Sequence, residues 1–265
     1  MKKFQLLSSF HLKIIAMIAM TIDHIGLFLI SLHFEIYAIF RMIGRLAYPL
    51  FSFLIVKGIT NTKKPIRYIT RLFAISLILD LFGYLFVSDY IGTPLLGFAL
   101  CALSIYIIEK GNKYYKLFGI LPITLALFSG FKFFPFKIDY GPYGIILTML
   151  FYGAYKLSST LVKKYYNSTL ASQNEISINN LNNALSLGFL ASFSIITSFC
   201  NDYINSFFNG IIIDYQFQSY AVISGIFILF YNGKRGYSKP WFKYGCYIYI
   251  FLHIGIIYLI YYLTK

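Results

Sequence analysis

The chain has little charge. Only 12% of its 265 residues are Asp, Glu, Lys or Arg, against roughly 25% in an average soluble protein. So few charges cannot coat a globule of this size, and a soluble fold is excluded. Acids are scarcest, with 9 Asp and Glu against 23 Lys and Arg. The three cysteines, Cys101, Cys200 and Cys246, have no metal-ligand spacing and fall in or beside apolar runs. They read as inert interior residues, and no metal is expected. No internal repeat is visible, so the inverted-repeat signature of many transporters is missing. No small-residue cleavage site follows the basic and apolar N-terminus, which reads as a retained first span.

What the chain does have is apolar and aromatic side chains, 58% and 20% of its residues. Runs of suitable length predict an all-α, polytopic transmembrane helix bundle of about nine spans. They cover residues 12–32, 36–59, 71–87, 93–108, 117–131, 141–157, 181–204, 217–231 and 242–263. The basic excess has two readings, nucleic-acid binding or the positive-inside rule, and the placement of the charges decides. Most Lys and Arg fall at the N-terminal end (Lys2, Lys3, Lys13) and in alternate connections. The second connection has Lys57, Lys63, Lys64, Arg67 and Arg71, and the fourth has Lys110, Lys113 and Lys116. The sixth has Lys156, Lys163 and Lys164, and the eighth has Lys234, Arg235, Lys239 and Lys243. This pattern predicts a cytoplasmic N-terminus and an external C-terminus, and it makes a nucleic-acid partner unnecessary. Glu35, Asp89, Asp202 and Asp214 then lie outside, with Asp139 at the external rim. The expected location is a cell membrane crossed many times, the cytoplasmic membrane of a bacterium. Along the chain, residues 1–157 form a six-span part and 181–265 a three-span part. The Ser- and Asn-rich stretch 158–180 reads as a mobile cytoplasmic linker between them.

Ionisable residues inside spans are costly and mark function by default. At about 1.5 Å of rise per residue, His24, Arg45, Asp80 and His253 share the midplane. Asp23 adjoins His24. Arg41 lies one turn outward from Arg45 on the same helix face, which Tyr48 extends. Gly44 between the arginines allows close packing with a neighbouring helix. Asp23 and Asp80 are the candidate internal partners of the two guanidinium groups, and a bound carboxylate or phosphate is the other. A buried ion-pair network that only locks helices is the alternative.

His24 is the candidate for catalysis, because its reference pKa of about 6.5 suits proton transfer near neutrality. Asp23 is not its obvious orienting acid, since adjacent helical residues point about 100° apart. Asp80 or a tyrosine fits that role better, and Asp23 is free to bind an arginine. His253, among aromatics and aliphatics, reads either as part of the site or as a satisfied core group. Asp139-Tyr140-Gly141-Pro142-Tyr143-Gly144 opens a span at the external side, as a helix cap or as the rim of an acceptor site. Tyr231-Asn232-Gly233-Lys234-Arg235-Gly236 reads as a tight basic turn, able to hold a phosphate or to serve as an ordinary positive loop.

Together these residues resemble the TraX family, membrane proteins named for acetylation of the F-pilus subunit. The matching stretches are LKIIAMIAMTIDHIGLFL at 12–29, then 40–80, DYGPYGIILTMLFY at 139–152, and 229–254. The Asp23-His24 pair, the Arg41-x-x-x-Arg45-x-x-x-Pro49 pattern and the Tyr231–Gly236 turn carry the resemblance in combination. The chain departs from the family at Lys57, where an acid is common.

The resemblance implies a membrane acetyltransferase. It would move acetyl from acetyl-CoA to the amino terminus of a peptide or protein, or to another small amine or hydroxyl acceptor. Its catalytic histidine would be His24, with Arg41 and Arg45 as polar-site partners. On the chain's own pattern, Asp23 joins the catalytic set, and the basic second and eighth connections, with Lys63, Lys64, Arg67, Asn232, Lys234 and Arg235, are the candidates for donor phosphates. Asp80, Asp139, Tyr140, Tyr143, His253 and Tyr48 are the candidate acceptor contacts. His24 would act as general base or as acetyl carrier. Competing readings are a small-solute or proton-coupled transporter, and an assembly protein in which the polar cluster is only glue.

Overall fold

The computed structural model describes residues 5–30, 34–86, 92–112, 114–134, 136–166, 171–209 and 213–264. Lys2, Lys3, Asp89, Lys113 and Lys265, which entered the charge pattern, lie outside the described residues. All described secondary structure is helical apart from one isolated bridge between Leu7 and Tyr231. In order the helices are α1 (Ser9–Leu29), α2 (Phe34–Gly44), α3 (Ala47–Asn61), α4 (Pro65–Phe86) and α5 (Pro94–Lys110). Then come α6 (Tyr115–Phe118), α7 (Ile120–Phe128), α8 (Gly141–Tyr165), α9 (Ala171–Phe199) and α10 (Asn201–Phe207). The series ends with α11 (Tyr215–Gln218), a 3-10 turn (Ser219–Ile223), α12 (Ser224–Leu229) and α13 (Pro240–Thr264).

Six helical segments among the described residues are long and apolar enough to cross a membrane: Ser9–Leu29, Glu35–Asn61 (α2 and α3 with the turn between them), Pro65–Leu85, Gly141–Tyr165, Gln173–Phe199 and Pro240–Thr264. They correspond to six of the nine predicted spans. The other three runs form shorter helices. Residues 93–108 give α5, at 17 residues. Residues 117–131 are interrupted at Gly119 between α6 and α7. Residues 217–231 divide into the 3-10 turn and α12. A hydrocarbon core needs about 20 helical residues, so these three fall short by length alone.

Exposure supports a lipid surround. On α13 the residues turned inward are His253 and Ile257, while Leu252, Ile256, Leu259 and Tyr262 are exposed. A soluble helix would do the reverse, with its histidine out and its leucines in. In lipid the apolar face is the solvated one.

The chain divides into two compact units. One comprises Met1–Phe51, Ala154–Ser198 and Tyr215–Lys265, and the other Ser52–Gly153 and Phe199–Asp214. The second has a core of Leu100, Cys101, Ala126, Ile138 and Ile145. All three cysteines are free, Cys101 buried and the others half-buried.

In the first unit, α1 buries Leu12, Ala16, Ala19, Asp23 and Gly26, one face at helical spacing. Small residues let α2 come close. A Cβ on Gly26 would lie 2.6 Å from Phe40 Cβ, and one on Gly44 would collide with the Asp23 carboxylate. Gly44→Ala is therefore expected to displace Asp23 and lower thermal stability by several degrees, which a melting curve of the detergent-solubilised protein checks.

The stretch 158–180, expected as a mobile linker, is helical over 158–165 and 171–180. Its polar residues have tertiary work. Asn179 and Asn183 both donate to the Tyr231 carbonyl, at 3.0 and 2.8 Å, and Gln5 donates to Asn180. Composition suggested a solvated loop, but Asn179 and, just beyond the stretch, Asn183 satisfy the Tyr231 carbonyl, which favours order.

Candidate functional site in the first unit

The chain interrupts its second span between α2 and α3 at Arg45 and Leu46. Pro49 explains the break, since it has no N–H to donate to the Arg45 carbonyl and its ring crowds that carbonyl. The backbone tightens there: Leu46 N–H donates to Ile43 O at 3.1 Å. Arg45 stays one turn below Arg41, with its own N–H bonded to Arg41 O.

Asp23 binds both arginines. One Arg45 Nη2 reaches both carboxylate oxygens, at 2.9 and 3.0 Å. Arg41 Nη1 lies 2.9 Å from Oδ2. Arg45 also donates from Nη1 to Gln218 Oε1 (3.1 Å) and from Nε to Arg41 O (3.2 Å). Each of its nitrogens is thus engaged, and both Arg45 and Gln218 are buried. Arg41 is less committed, with a side chain 21% exposed. Its Nε and Nη2 make no hydrogen bond among the described residues, and its guanidinium lies 6.0 Å from the Tyr37 ring. Two cations on one anion leave one formal positive charge. Such a site is stabilised by an anion or a developing oxyanion.

His24 projects toward α13. Its Nδ1 lies 2.9 Å from His253 Nε2, with the ring centroids 5.1 Å apart and nearly parallel. His253 Nδ1 in turn lies 2.7 Å from the Tyr249 carbonyl, and the Tyr249 ring stacks on it at 5.0 Å. One turn back, Thr21 Oγ1 donates to Met17 O and so accepts from the Tyr249 hydroxyl. The spacings Thr21/His24 and Tyr249/His253 put each pair on one helix face. His24 lies within electrostatic reach of Asp23, Arg41, Arg45 and His253. Its Nε2 makes no hydrogen bond among the described residues.

The structure thus brings together Asp23, His24, Arg41, Arg45 and His253. Tyr48, on the arginine face by spacing, is buried in α3 of the same unit. Asp80 belongs to the second unit. There it accepts from the Thr93 N–H just ahead of α5, at 2.8 Å. Asp23 is the carboxylate that serves both arginines. His253 contacts His24 directly.

Asp139, Tyr140 and Tyr143 also lie in the second unit. Asp139 accepts from the Tyr140 N–H, and Tyr140 has φ 60, in the left-handed region. Tyr143 is 2% exposed, so it is core and not an open rim. Lys64 and Arg67 line an open cleft with Thr70 and Tyr106, and Lys63 is exposed beside it.

In the Tyr231–Gly236 turn, the backbone faces α1. The Ser9 and Phe10 N–H groups donate to the carbonyls of Lys234 and Arg235, at 2.9 and 3.1 Å. The Lys234 N–H is taken by Asn232 Oδ1. The turn caps the start of α1 with carbonyls, and the Lys234 and Arg235 side chains are exposed. Two residues escaped the sequence reading. Gln218 carried only a weak signal, an amide at the start of an apolar run. Lys57, counted with the second basic connection and noted as a departure from the family, is buried with its ammonium 5.5 Å from the Phe53 ring.

The family described as TraX protein matches residues 8–261, nearly the whole chain. The chain belongs to the TraX family. With its six long apolar helices, this TraX-family chain is a multi-pass membrane protein. It is also 29% identical over 156 residues to a probable fimbrial assembly protein FimC, serogroup H1, of Dichelobacter nodosus. That alignment takes in 54% of this chain and 61% of the relative, so the chain matches about three-fifths of the relative's length. No solved structure matches the chain.

Proposed function

We propose that the protein is a membrane-embedded acetyltransferase that moves acetyl from acetyl-CoA to an amine or hydroxyl. The observation that carries this reading is the pairing of an unengaged His24 Nε2 with an arginine, Arg41, that has donors to spare. His24 Nε2 takes the proton of the attacking amine or hydroxyl, whose nitrogen or oxygen bonds to the thioester carbonyl carbon. Arg41 stabilises the oxyanion that forms. The carbon–sulfur bond then breaks, and the thiolate takes the proton back from His24. Asp23 and Arg45 hold Arg41 in place. TraX-family membership supports this chemistry. In the second unit, the cations Lys64 and Arg67 line a cleft with Tyr106, a lining of the kind that binds phosphate. The name of the fimbrial relative supports an acceptor among the subunits of a surface fibre, modified at a peptide amino terminus.

The division of labour between the arginines is testable. Arg41→Met is expected to fold and bind acetyl-CoA, but to lose about 10²–10³-fold in turnover. Arg45→Met is expected to lose stability as well, because it removes the hydrogen bond to Gln218 and half of the Asp23 pairing. Calorimetry with acetyl-CoA and a labelled-acetyl assay separate the two. Equal turnover in Arg41→Met and wild type would exclude Arg41 as the oxyanion donor.

We further propose nine membrane segments, with the N-terminus in the cytoplasm of a bacterium and the C-terminus outside. The three shorter helices complete the count, and the alternation of basic connections supports it. In a chain with its native cysteines replaced by alanine, Tyr262→Cys should react with an impermeant maleimide in intact cells. Leu6→Cys should react only after permeabilisation. Labelling of both from one side would contradict the odd number of crossings.

A further inference from the structure

We infer that His253 is a positioning residue for His24, fixing which of its two nitrogens is the base. A carbonyl oxygen only accepts, so the 2.7 Å contact with Tyr249 O requires the proton of His253 on Nδ1. The Nε2 of a neutral His253 is then an acceptor. It faces His24 Nδ1 at 2.9 Å, so His24 must donate from Nδ1. One proton per neutral ring remains the rule. The lone pair of His24 is therefore left on Nε2, the nitrogen without a partner among the described residues.

The order runs the other way if His253 is a cation. Both of its nitrogens would then donate, His24 would accept at Nδ1, and its Nε2 would carry the proton. The base would be lost. Burial of His253 at 5% exposure and its contact with an uncharged carbonyl favour the neutral ring. The rotamer is fixed as well. Tyr249 stacks on His253, and the Tyr249 hydroxyl is tied to Thr21 one turn from His24. Two adjacent turns of α1 are thus bound to two adjacent turns of α13. The second histidine supplies the orienting contact that an acid supplies in many histidine-dependent enzymes.

The inference rests on the acetyl-transfer reading for its kinetic consequence, and the test has one arm that does not. Full-length protein with ¹⁵N-labelled histidine is studied by NMR in bilayers, and the His24 signals are assigned by their loss in His24→Gln. The expected wild-type form has His24 protonated at Nδ1. His253→Phe should shift it to the other tautomer or to a mixture, and His253→Gln should preserve it, because the Gln oxygen can stand in for Nε2. In the acetyl assay, His253→Phe should lower kcat about 100-fold with KM nearly unchanged. His253→Gln should recover most of that loss.

A wild-type His24 protonated at Nε2 would overturn the inference. So would a His253→Phe protein with the wild-type tautomer and turnover. Should His253→Phe fail to fold, the wild-type tautomer and the Gln variant still decide. An absence of acetyl transfer in the wild type would sink the enzymatic reading and leave the tautomer result to judge His253.

Discussion

Asp23→Ala is expected to lose about 3–5 kcal/mol of stability, the cost of stripping buried charges of their partner. Asp23 serves two guanidinium groups at once, and both stand in helices that the chain places in a membrane. Its removal takes the shared carboxylate from both cations, while Arg45 keeps its bonds to Gln218 and the Arg41 carbonyl. The loss should be smaller in Asp23→Asn, which keeps an oxygen in place. It should also shrink in Asp23→Ala combined with Arg41→Met and Arg45→Met, because no unpaired charge remains. Denaturant titration of the purified protein in detergent measures all three. A single Asp23→Ala within about 0.5 kcal/mol of wild type would mean that the pairs are not buried together as described.

The second large effect falls on chemistry. His24→Ala is expected to lower acetyl transfer by at least about 10²–10⁴-fold, the range for loss of a positioned general base. Stability should change much less than in Asp23→Ala. His24 is half-buried, and among the described residues its hydrogen bond is to the His253 ring, neutral on the reading above. A neutral hydrogen bond contributes only about 1 kcal/mol. This contrast separates catalysis from glue. If the cluster served only to hold helices together, His24→Ala and Asp23→Ala would differ in stability and not in any transfer rate.

The sequence made part of the site legible. The spacing of four between Arg41 and Arg45 placed them on one face, and the depth count put His24 and His253 in one layer. The objection to Asp23 as a partner of His24 held, since adjacent residues diverge and Asp23 turns to the arginines. Gly44 was recognised as a point of close packing, and it is the Asp23 carboxylate that uses the space. Depth says nothing of azimuth, however. His24 and His253 were placed at one depth, and it took the structure to show that their rings meet.

The same gap explains the other misses. Gln218 is an uncharged amide at the edge of an apolar run, and no local rule points it at Arg45. The Tyr231–Gly236 turn read equally as a phosphate site or an ordinary basic loop, because composition does not show which way backbone carbonyls face. They face α1. Asn179 looked like a loop residue because its acceptor, the Tyr231 carbonyl, lies about fifty residues further along the chain. Runs of apolar residues gave the positions of nine segments, but Gly119 and the 3-10 turn at Ser219–Ile223 shorten the helices within two of them.

The most direct test is transfer itself. Wild-type protein and His24→Ala are reconstituted in liposomes with acetyl-labelled acetyl-CoA and a peptide bearing a free amino terminus, and label on the peptide is counted. The account predicts label on the peptide with the wild type and near-background counts with His24→Ala. Undiminished transfer by His24→Ala, or an absence of transfer by a wild-type protein shown to be folded, would contradict it.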